Sequence, residues 1–347
     1  MKRDPAKLRD EWSALRASTP GLKGLETAER LGVSEVEIAA LGCGGGAAGV
    51  SATRLEADWP AFIGELPKLG KVKAVTRNAS AVIEVEGTYD NIAFFGPMGQ
   101  SVSTIDLRIF SSRWKHGFAF REETKRGLSR GLSFFDGAGR AIHKLFARPE
   151  SDAAFFDELV RRHTARDQSP AQEVSPPDPP PPERPDADID AVGLREAWLA
   201  MQDTHELHGL LRRHGATREQ AFRLLGGDLA YAVAPGAFEQ LLRAAAGTGL
   251  EIMIFVGNPG LIQIYSGPIV RVAPMGPWIN VLDPGFDLHV RTDRIARAWI
   301  VLKPTSDGHV TSLEVYDARG EQIALMVGKR KPGQEEQAAW RKLAEGV

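Results

Sequence analysis

One cysteine, Cys43, stands among 347 residues, so no internal disulfide framework can form. Nothing in that usage points to an oxidising compartment. No apolar run reaches the roughly 20 residues that a membrane-spanning helix needs. Neither sign of charge dominates: 43 Lys and Arg against 45 Asp and Glu leave a net charge of −2. That balance gives no whole-molecule attraction to nucleic acid or anionic lipid. The signatures H-E-x-x-H, G-x-S-x-G and the phosphate-binding loop are missing. Gly44-Gly45-Gly46-Ala47-Ala48-Gly49 satisfies G-x-G-x-x-G, but a helical pattern precedes it and no βαβ unit surrounds it. It reads as a flexible loop without a dinucleotide. Cys43 has no histidine at metal-ligand spacing and reads as a buried or incidental thiol. The start, Met-Lys-Arg-Asp-Pro, runs into a charged helix-like stretch, so the expectation is a chain without a signal peptide, soluble and cytoplasmic.

What is present is ordinary globular composition, 43% hydrophobic and 25% charged, in a length that suits two domains. Ser169–Asp190 reads SPAQEVSPPDPPPPERPDADID. Its prolines, Pro176 to Pro182, favour extended geometry and cannot donate backbone hydrogen bonds, which marks a solvated and fairly stiff tether. The two flanks resemble each other. Asp106, Asp136 and Gly139 each recur 181 positions later as Asp287, Asp317 and Gly320, in matching contexts. Leu8-Arg9-Asp10-Glu11-Trp12 matches Leu194-Arg195-Glu196-Ala197-Trp198, and Pro97-Met98-Gly99 matches Pro274-Met275-Gly276. A fixed offset over several motifs argues for tandem duplication of one domain. The expected division is a first repeat at 1–168, a linker at 169–190 and a second repeat at 191–347.

Each copy reads as helices, then short strands, then a helix, an α+β pattern of antiparallel meanders. Helices are expected at Pro5–Ala17, Ser34–Leu41, Val192–Arg213 and Thr217–Leu225, and terminal ones at Glu150–His163 and Glu335–Glu345. Thr217 and Gln220 hold capping-box positions. Strands of the second copy are expected at Glu251–Val256, Leu261–Tyr265, Ile269–Val272, Leu288–Arg291, Arg297–Leu302, Ser312–Tyr316 and Gln322–Val327, with turns at 258–260, 266–268, 306–308 and 317–320.

Three sets of residues carry chemistry. His205 and His208 lie three apart, on one face of the expected helix. A polar, solvated helix face accounts for them as well, and the local pattern favours it; the first copy has no histidine in the matching stretch. Arg108 alternates with apolar residues in Ile105–Phe110, which puts Asp106, Arg108 and Phe110 on one strand face. It is read either as an edge-strand solubility residue or as a cation over an aromatic-lined pocket. Lys303 and the basic turn 328–333, containing Lys329, Arg330 and Lys331, sit at strand ends. With Arg218 at a helix start they form a set able to bind paired carboxylates.

The stretch from Thr76-Arg77-Asn78 to Asp90-Asn91, Ile105–Phe110 with Trp114–Phe118, Asp203–His205, Thr217–Phe222 and Glu251 through Gly333, the last including Phe255–Asn258, Met275–Pro284 and Lys303–Gly308, resemble the cytoplasmic haemin-transport and haemin-degrading family. The likeness covers nearly the whole chain, apart from the Pro-rich tether. It implies a duplicated α+β fold with two large sheets and one haem in a cleft between the halves. It implies His205 as the axial iron ligand, Arg108 as the distal arginine, Phe110 against the porphyrin, and Arg218, Lys303 and Arg330 near the propionates. Where the family often carries an aromatic or apolar residue, this chain has His208, an alternative ligand for the iron. Without C-x-x-C-H the expected group is non-covalent haem b. The resemblance implies haem sequestration and trafficking, with oxidative ring opening if oxygen and a reductant are supplied. Partners would be a haem oxygenase or an inner-membrane haem ABC transporter, with neither nucleic acid binding nor membrane insertion expected. The rival from another class is a regulatory or interaction protein with a degenerate pocket.

Overall fold

The computed structural model describes all residues except 1–2, 23, 125–126, 180–181 and 331–332. Part of the proline run and Lys331 of the basic turn therefore lie outside the described residues. Two compact units emerge. The first comprises Met1–Arg77, Glu84–Asp178 and Asn258–Gln263, and the second Asn78–Ile83, Pro179–Gly257 and Ile264–Val347. The fold is α+β with two large antiparallel sheets.

Elements of the earlier half are α1 (Pro5–Ser18), α2 (Gly24–Leu31), α3 (Glu35–Ala40), β1 (Val50–Leu55), α4 (Trp59–Gly64), β2 (Val72–Arg77), β3 (Ala81–Gly87), β4 (Ala93–Phe95), β5 (Met98–Ser101), β6 (Asp106–Phe110), β7 (His116–Thr124), β8 (Gly127–Phe135), β9 (Ala141–Ala147) and α5 (Ala153–Arg162). The later half holds α6 (Ala191–Leu199), α7 (Glu206–His214), α8 (Arg218–Leu225), β10 (Ala230–Val233), α9 (Ala237–Thr248), β11 (Ile252–Asn258), β12 (Leu261–Gly267), β13 (Val272–Met275), β14 (Trp278–Asp283), β15 (Phe286–Arg291), β16 (Arg297–Thr305), β17 (Gly308–Tyr316), β18 (Gln322–Gly328) and α10 (Ala338–Glu345).

The duplication is written into both backbones. The first unit orders five strands β1-β7-β8-β9-β2 and a meander β4-β5-β6. The second orders β10-β16-β17-β18-β11 and β13-β14-β15. Register slips at Phe134/Phe135 in one and at Val315/Tyr316 in the other. The turn after each slip is built alike. The Asp136 carboxylate accepts from the Arg140 amide at 2.8 Å and that of Asp317 from the Glu321 amide at 3.0 Å. Gly139 and Gly320 close these turns at φ 80° and 83°, a backbone region glycine enters without steric cost.

Leu8 and Trp12 are buried against α2 and α3, and Leu194 and Trp198 are buried in the core of the second unit with Phe222, Leu225 and Tyr316. The Thr217 and Gln220 capping box forms as expected, and Ser34 with Glu37 makes its counterpart at α3. The glycine-rich stretch is a loop between α3 and β1, and Cys43 is buried beneath it. The described residues of 169–185 have no regular structure, yet they are pinned. Arg54 donates to the Ser169 and Ala171 carbonyls at 2.9 Å, and Arg223 pairs with Glu183 at 2.6 Å.

Three expectations are corrected. The helix foreseen over Val192–Arg213 is two helices, because side chains cap its middle: Glu206 Oε1 accepts from the amides of Gln202 and Asp203, each at 2.9 Å. The strand foreseen at Ile269–Val272 starts only at Val272, because the amides of Val270 and Arg271 donate to the Asp283 carboxylate at 2.8 Å. The match of Pro97-Met98-Gly99 to Pro274-Met275-Gly276 is displaced. Gly96-Pro97 and Gly276-Pro277 are the equivalent hairpin turns, with φ 62° and 58° at the glycines. The strands β10 and β14 and the helix α9 have no counterpart among the expected elements.

One buried group makes stability depend on pH. His143, 1% exposed, lies between Thr76 Oγ1 at 2.9 Å from Nδ1 and the Tyr89 hydroxyl at 2.6 Å from Nε2. Two hydroxyls satisfy a neutral ring, one nitrogen donating and the other accepting. Burial holds the imidazole down at about 3. The unfolded chain takes a proton at its ordinary value near 6.5, so stability falls as the pH drops from there towards 3. The loss amounts to about 1.4 kcal/mol per pH unit within that window. In thermal unfolding between pH 7 and 4, His143→Gln should show a shallower fall of the midpoint than the parent; equal slopes would contradict this role.

Candidate functional site

The break between α6 and α7 presents a histidine. His205 occupies the N-cap position of α7 with φ −67° and ψ −20°. Asp203 Oδ1 accepts twice from it, from the backbone amide at 2.9 Å and from Nδ1 at 2.6 Å. The backbone hydrogen bond from His205 leads the effects that hold the Asp203 carboxyl below its usual range, with the imidazole and the Arg330 charge assisting. An ionised carboxylate only accepts, so Nδ1 carries the proton of the neutral ring and Nε2 keeps its lone pair. The imidazole is 79% exposed.

The turn beneath it is held firmly. Ser306, at the β16–β17 turn, donates its amide to the Gln202 carbonyl at 2.9 Å, and Trp198 Nε1 donates to the Leu302 carbonyl at 2.9 Å. Met201 and Leu207 bury on either side of the turn. Arg330, half-buried just past β18, reaches Thr305 Oγ1 at 3.4 Å from Nη1. The structure thus brings His205, Asp203 and Arg330 into one neighbourhood. His208 lies exposed in the first turn of α7, three residues on from the N-cap.

Arg218 and Lys303 meet on a carboxylate that sequence reasoning did not pick out. Glu314 accepts from Arg218 Nε at 2.6 Å and Nη2 at 2.8 Å, and from Lys303 Nζ at 2.5 Å. Lys303 is 3% exposed and Glu314 is fully buried. The two cations, with burial working against them, hold the Glu314 carboxyl far below the carboxylate range. Burial brings the Lys303 ammonium down to about 8, against the pull of Glu314. Lys303 therefore presents no ammonium at the surface, whereas Arg218 keeps 30% of its side chain exposed.

In the first unit, β6 alternates as expected, with Leu107 and Ile109 buried and Asp106, Arg108 and Phe110 on the other face. Arg108 bonds the Asp106 carboxylate and donates to the Leu107 carbonyl at 3.1 Å. Burial pushes the Asp106 carboxyl up, with Arg108 pulling it back. Register extends this face: Gln100 lies opposite Arg108, Met98 opposite Phe110, and Phe95 opposite Met98. Phe95 and Met98 are 69% and 48% exposed, two apolar surfaces that the sequence analysis left out. Asp203, two residues before His205, was legible as an Asx-type turn residue but received no role.

Among the described residues no group of three His, Cys, Asp or Glu could hold a bare metal ion. One exposed imidazole whose other ring nitrogen is bound to a carboxylate suits a metal that arrives with its own equatorial ligands, as iron does in a porphyrin. The donor set of this chain fits haem.

The model of the haemin-degrading HemS.ChuX domain matches twice, over residues 32–163 and 215–347. The hemin transport protein HmuS of Yersinia pestis is 39% identical over 338 residues, 97% of this chain and 96% of that protein. Holo-PhuS, a heme-binding protein from Pseudomonas aeruginosa, superposes with a TM-score of 0.95 at 44% identity over 99% of both chains. The heme-degrading enzyme ChuS of Escherichia coli O157:H7 gives 0.91 at 35% identity, again over 99% of both. The two matches fall one in each half and together span most of the chain, so the internal duplication is a duplication of this domain, and the chain belongs to the haemin-degrading HemS.ChuX family.

Proposed function

We propose that this chain binds haem b non-covalently through His205 and serves haem uptake in the cytoplasm, sequestering haem and trafficking it for iron acquisition. The observation that carries the reading is the imidazole of His205, exposed, oriented by Asp203, and with Nε2 available to iron. Relatives support it: HmuS is a hemin transport protein and PhuS a heme-binding one. Bound haem supplies a redox-active iron, and this chain's residues ligate and orient it. His205 donates its Nε2 lone pair. Asp203 fixes the tautomer and raises the basicity of the ring. Arg330, close enough to lower the Asp203 carboxyl, offers a cation for a propionate. Arg218, with Lys303 behind it, is a second such group. Arg108 contributes a guanidinium and Phe110 an aromatic face to haem contact. His208 is an alternative imidazole during handover. A haem oxygenase or an inner-membrane haem ABC transporter is the protein partner in view. No helix among the described residues is long and apolar enough to cross a membrane.

The second reading is catalysis. Arg108 gives positive charge and N–H donors of the kind that oxidative ring opening requires, and the heme-degrading relative ChuS favours it.

Haemin titration tests the binding. The parent protein should develop a Soret band saturating at one equivalent, and His205→Ala should weaken binding at least about tenfold, the order expected for loss of a coordinating ligand. If His205→Ala binds as the parent does, with an unchanged spectrum, the assignment is wrong. Absence of any band in the parent would leave the regulatory reading instead. Asp203→Ala should lower affinity by roughly 10-fold, because the ring loses its orienting acceptor. His208→Ala should keep the resting spectrum and slow transfer to an apo-acceptor; unaltered transfer rates would remove His208 from the pathway. Loss of the Soret band under reductant and oxygen, with catalase present, reads out degradation, and Arg108→Ala should suppress that loss without abolishing binding.

A further inference from the structure

Two cations gather on one buried carboxylate in the second unit. Glu314 is fully buried in β17, and the Lys303 side chain is 4% exposed in β16. Glu314 Oε2 accepts from Arg218 Nε at 2.6 Å, from the Tyr316 hydroxyl at 2.7 Å and from Gln322 Nε2 at 2.8 Å. Oε1 accepts from Arg218 Nη2 at 2.8 Å, from Lys303 Nζ at 2.5 Å and from Ser312 Oγ at 3.2 Å. Six donors leave this carboxylate no capacity for anything else.

The charges do not cancel. Arg218 and Lys303 bring two positive charges against one negative. The neighbouring acids are matched by other cations: Glu219 pairs with Arg297 at 2.7 Å, and Glu336 with Arg341 at 3.4 Å. One positive charge is left over. Its route to the surface is Arg218, the partly exposed member. Glu314 engages Nε and Nη2, one edge of the planar guanidinium, and does not bond Nη1. The Phe222 ring lies 6.0 Å from the guanidinium carbon and limits where that plane can swing.

We propose that Glu314 is a positioning residue for carboxylate recognition: it clamps one edge of Arg218 so that the remaining edge, backed by the surplus charge of Lys303, meets a ligand carboxylate that Glu314 itself never touches. The inference rests on the haem reading, in which that carboxylate is a propionate.

The test compares haemin with haemin dimethyl ester, which keeps the iron and the macrocycle but lacks both carboxylates. Full-length parent protein, Glu314→Gln, Glu314→Asp and Arg218→Gln are titrated with each ligand, and thermal midpoints are recorded. The parent should bind haemin more tightly than the ester. Glu314→Gln and Arg218→Gln should each weaken haemin about tenfold, the size of one charge-assisted contact, and leave the ester within about twofold. The Soret position should not move, because His205 is untouched. Equal losses for haemin and ester would mean that Glu314 acts only on the fold, and undiminished haemin affinity would overturn the role directly. If Glu314→Gln loses the parent's unfolding transition, Glu314→Asp decides. It keeps the charge but withdraws the carboxylate by one methylene, and a haemin-selective loss supports the proposal while an unselective loss or none overturns it. A parent protein that binds neither ligand defeats the haem reading; one that binds both with no preference defeats only this inference.

Discussion

A carboxylate cut off from water inside a sheet costs several kcal/mol unless it is fully paired. Glu314 is in that position, and the arrangement of the second unit answers to it. β17 is buried along almost its whole length, and besides Ser312 and Tyr316 of the strand itself the partners come from neighbouring elements: Lys303 from β16, Gln322 from β18, Arg218 from the start of α8. The helix is thereby tied to the sheet through a bidentate contact, and its capping box sets where that contact begins. A buried ion set of this kind contributes less to net stability than to uniqueness, because each member would be expensive to leave unpaired in any other packing. The geometry of the second unit and the anion-binding role we propose for it thus share one origin.

The duplicated halves show how the same frame has been recharged. At the first helical position after the capping residue, α3 has Glu35 and α8 has Arg218. Glu35 is buried and takes Arg77 and Lys144 as partners, one acid against two bases. Arg218 takes Glu314. Position 108 tells a similar story. Arg108 pairs with Asp106, whereas its equivalent, His289, bonds Asn280 at 2.6 Å through Nδ1. Backbone geometry has been kept while charge has been reassigned, so the two units need not perform the same chemistry.

The duplication itself was legible because turns are chemically specific. Asp136 and Asp317 each close the turn by accepting from a backbone amide, which the short acceptor side chains of Asp and Asn do best. Strand alternation around Arg108 and the capping boxes were legible for the same reason, since both are local. The broken helix was not. Apolar residues stand on both sides of the break, as Trp198, Met201 and Leu207 show, and the carboxylates of Asp203 and Glu206 are what interrupt the backbone. Glu314 was illegible because its chief partner lies 96 positions away. A lone acid in a strand gives no hint of which distant cations will gather on it.

Gly260 brings a different consequence. Its carbonyl accepts from the Phe110 amide and from Trp114 Nε1, both at 3.0 Å, and so anchors the end of the strand that bears Arg108. A β-carbon at this position would stand 2.6 Å from the Ile142 side chain. The equivalent turn residue, Ser80, carries its side chain without difficulty while its carbonyl accepts from Arg291. For anyone recombining or diversifying such chains, the repeats are therefore not interchangeable at this turn. Cassettes moved from one half to the other will fail at Gly260 before they fail at the exposed Phe95 and Met98, and libraries are better spent on those two positions.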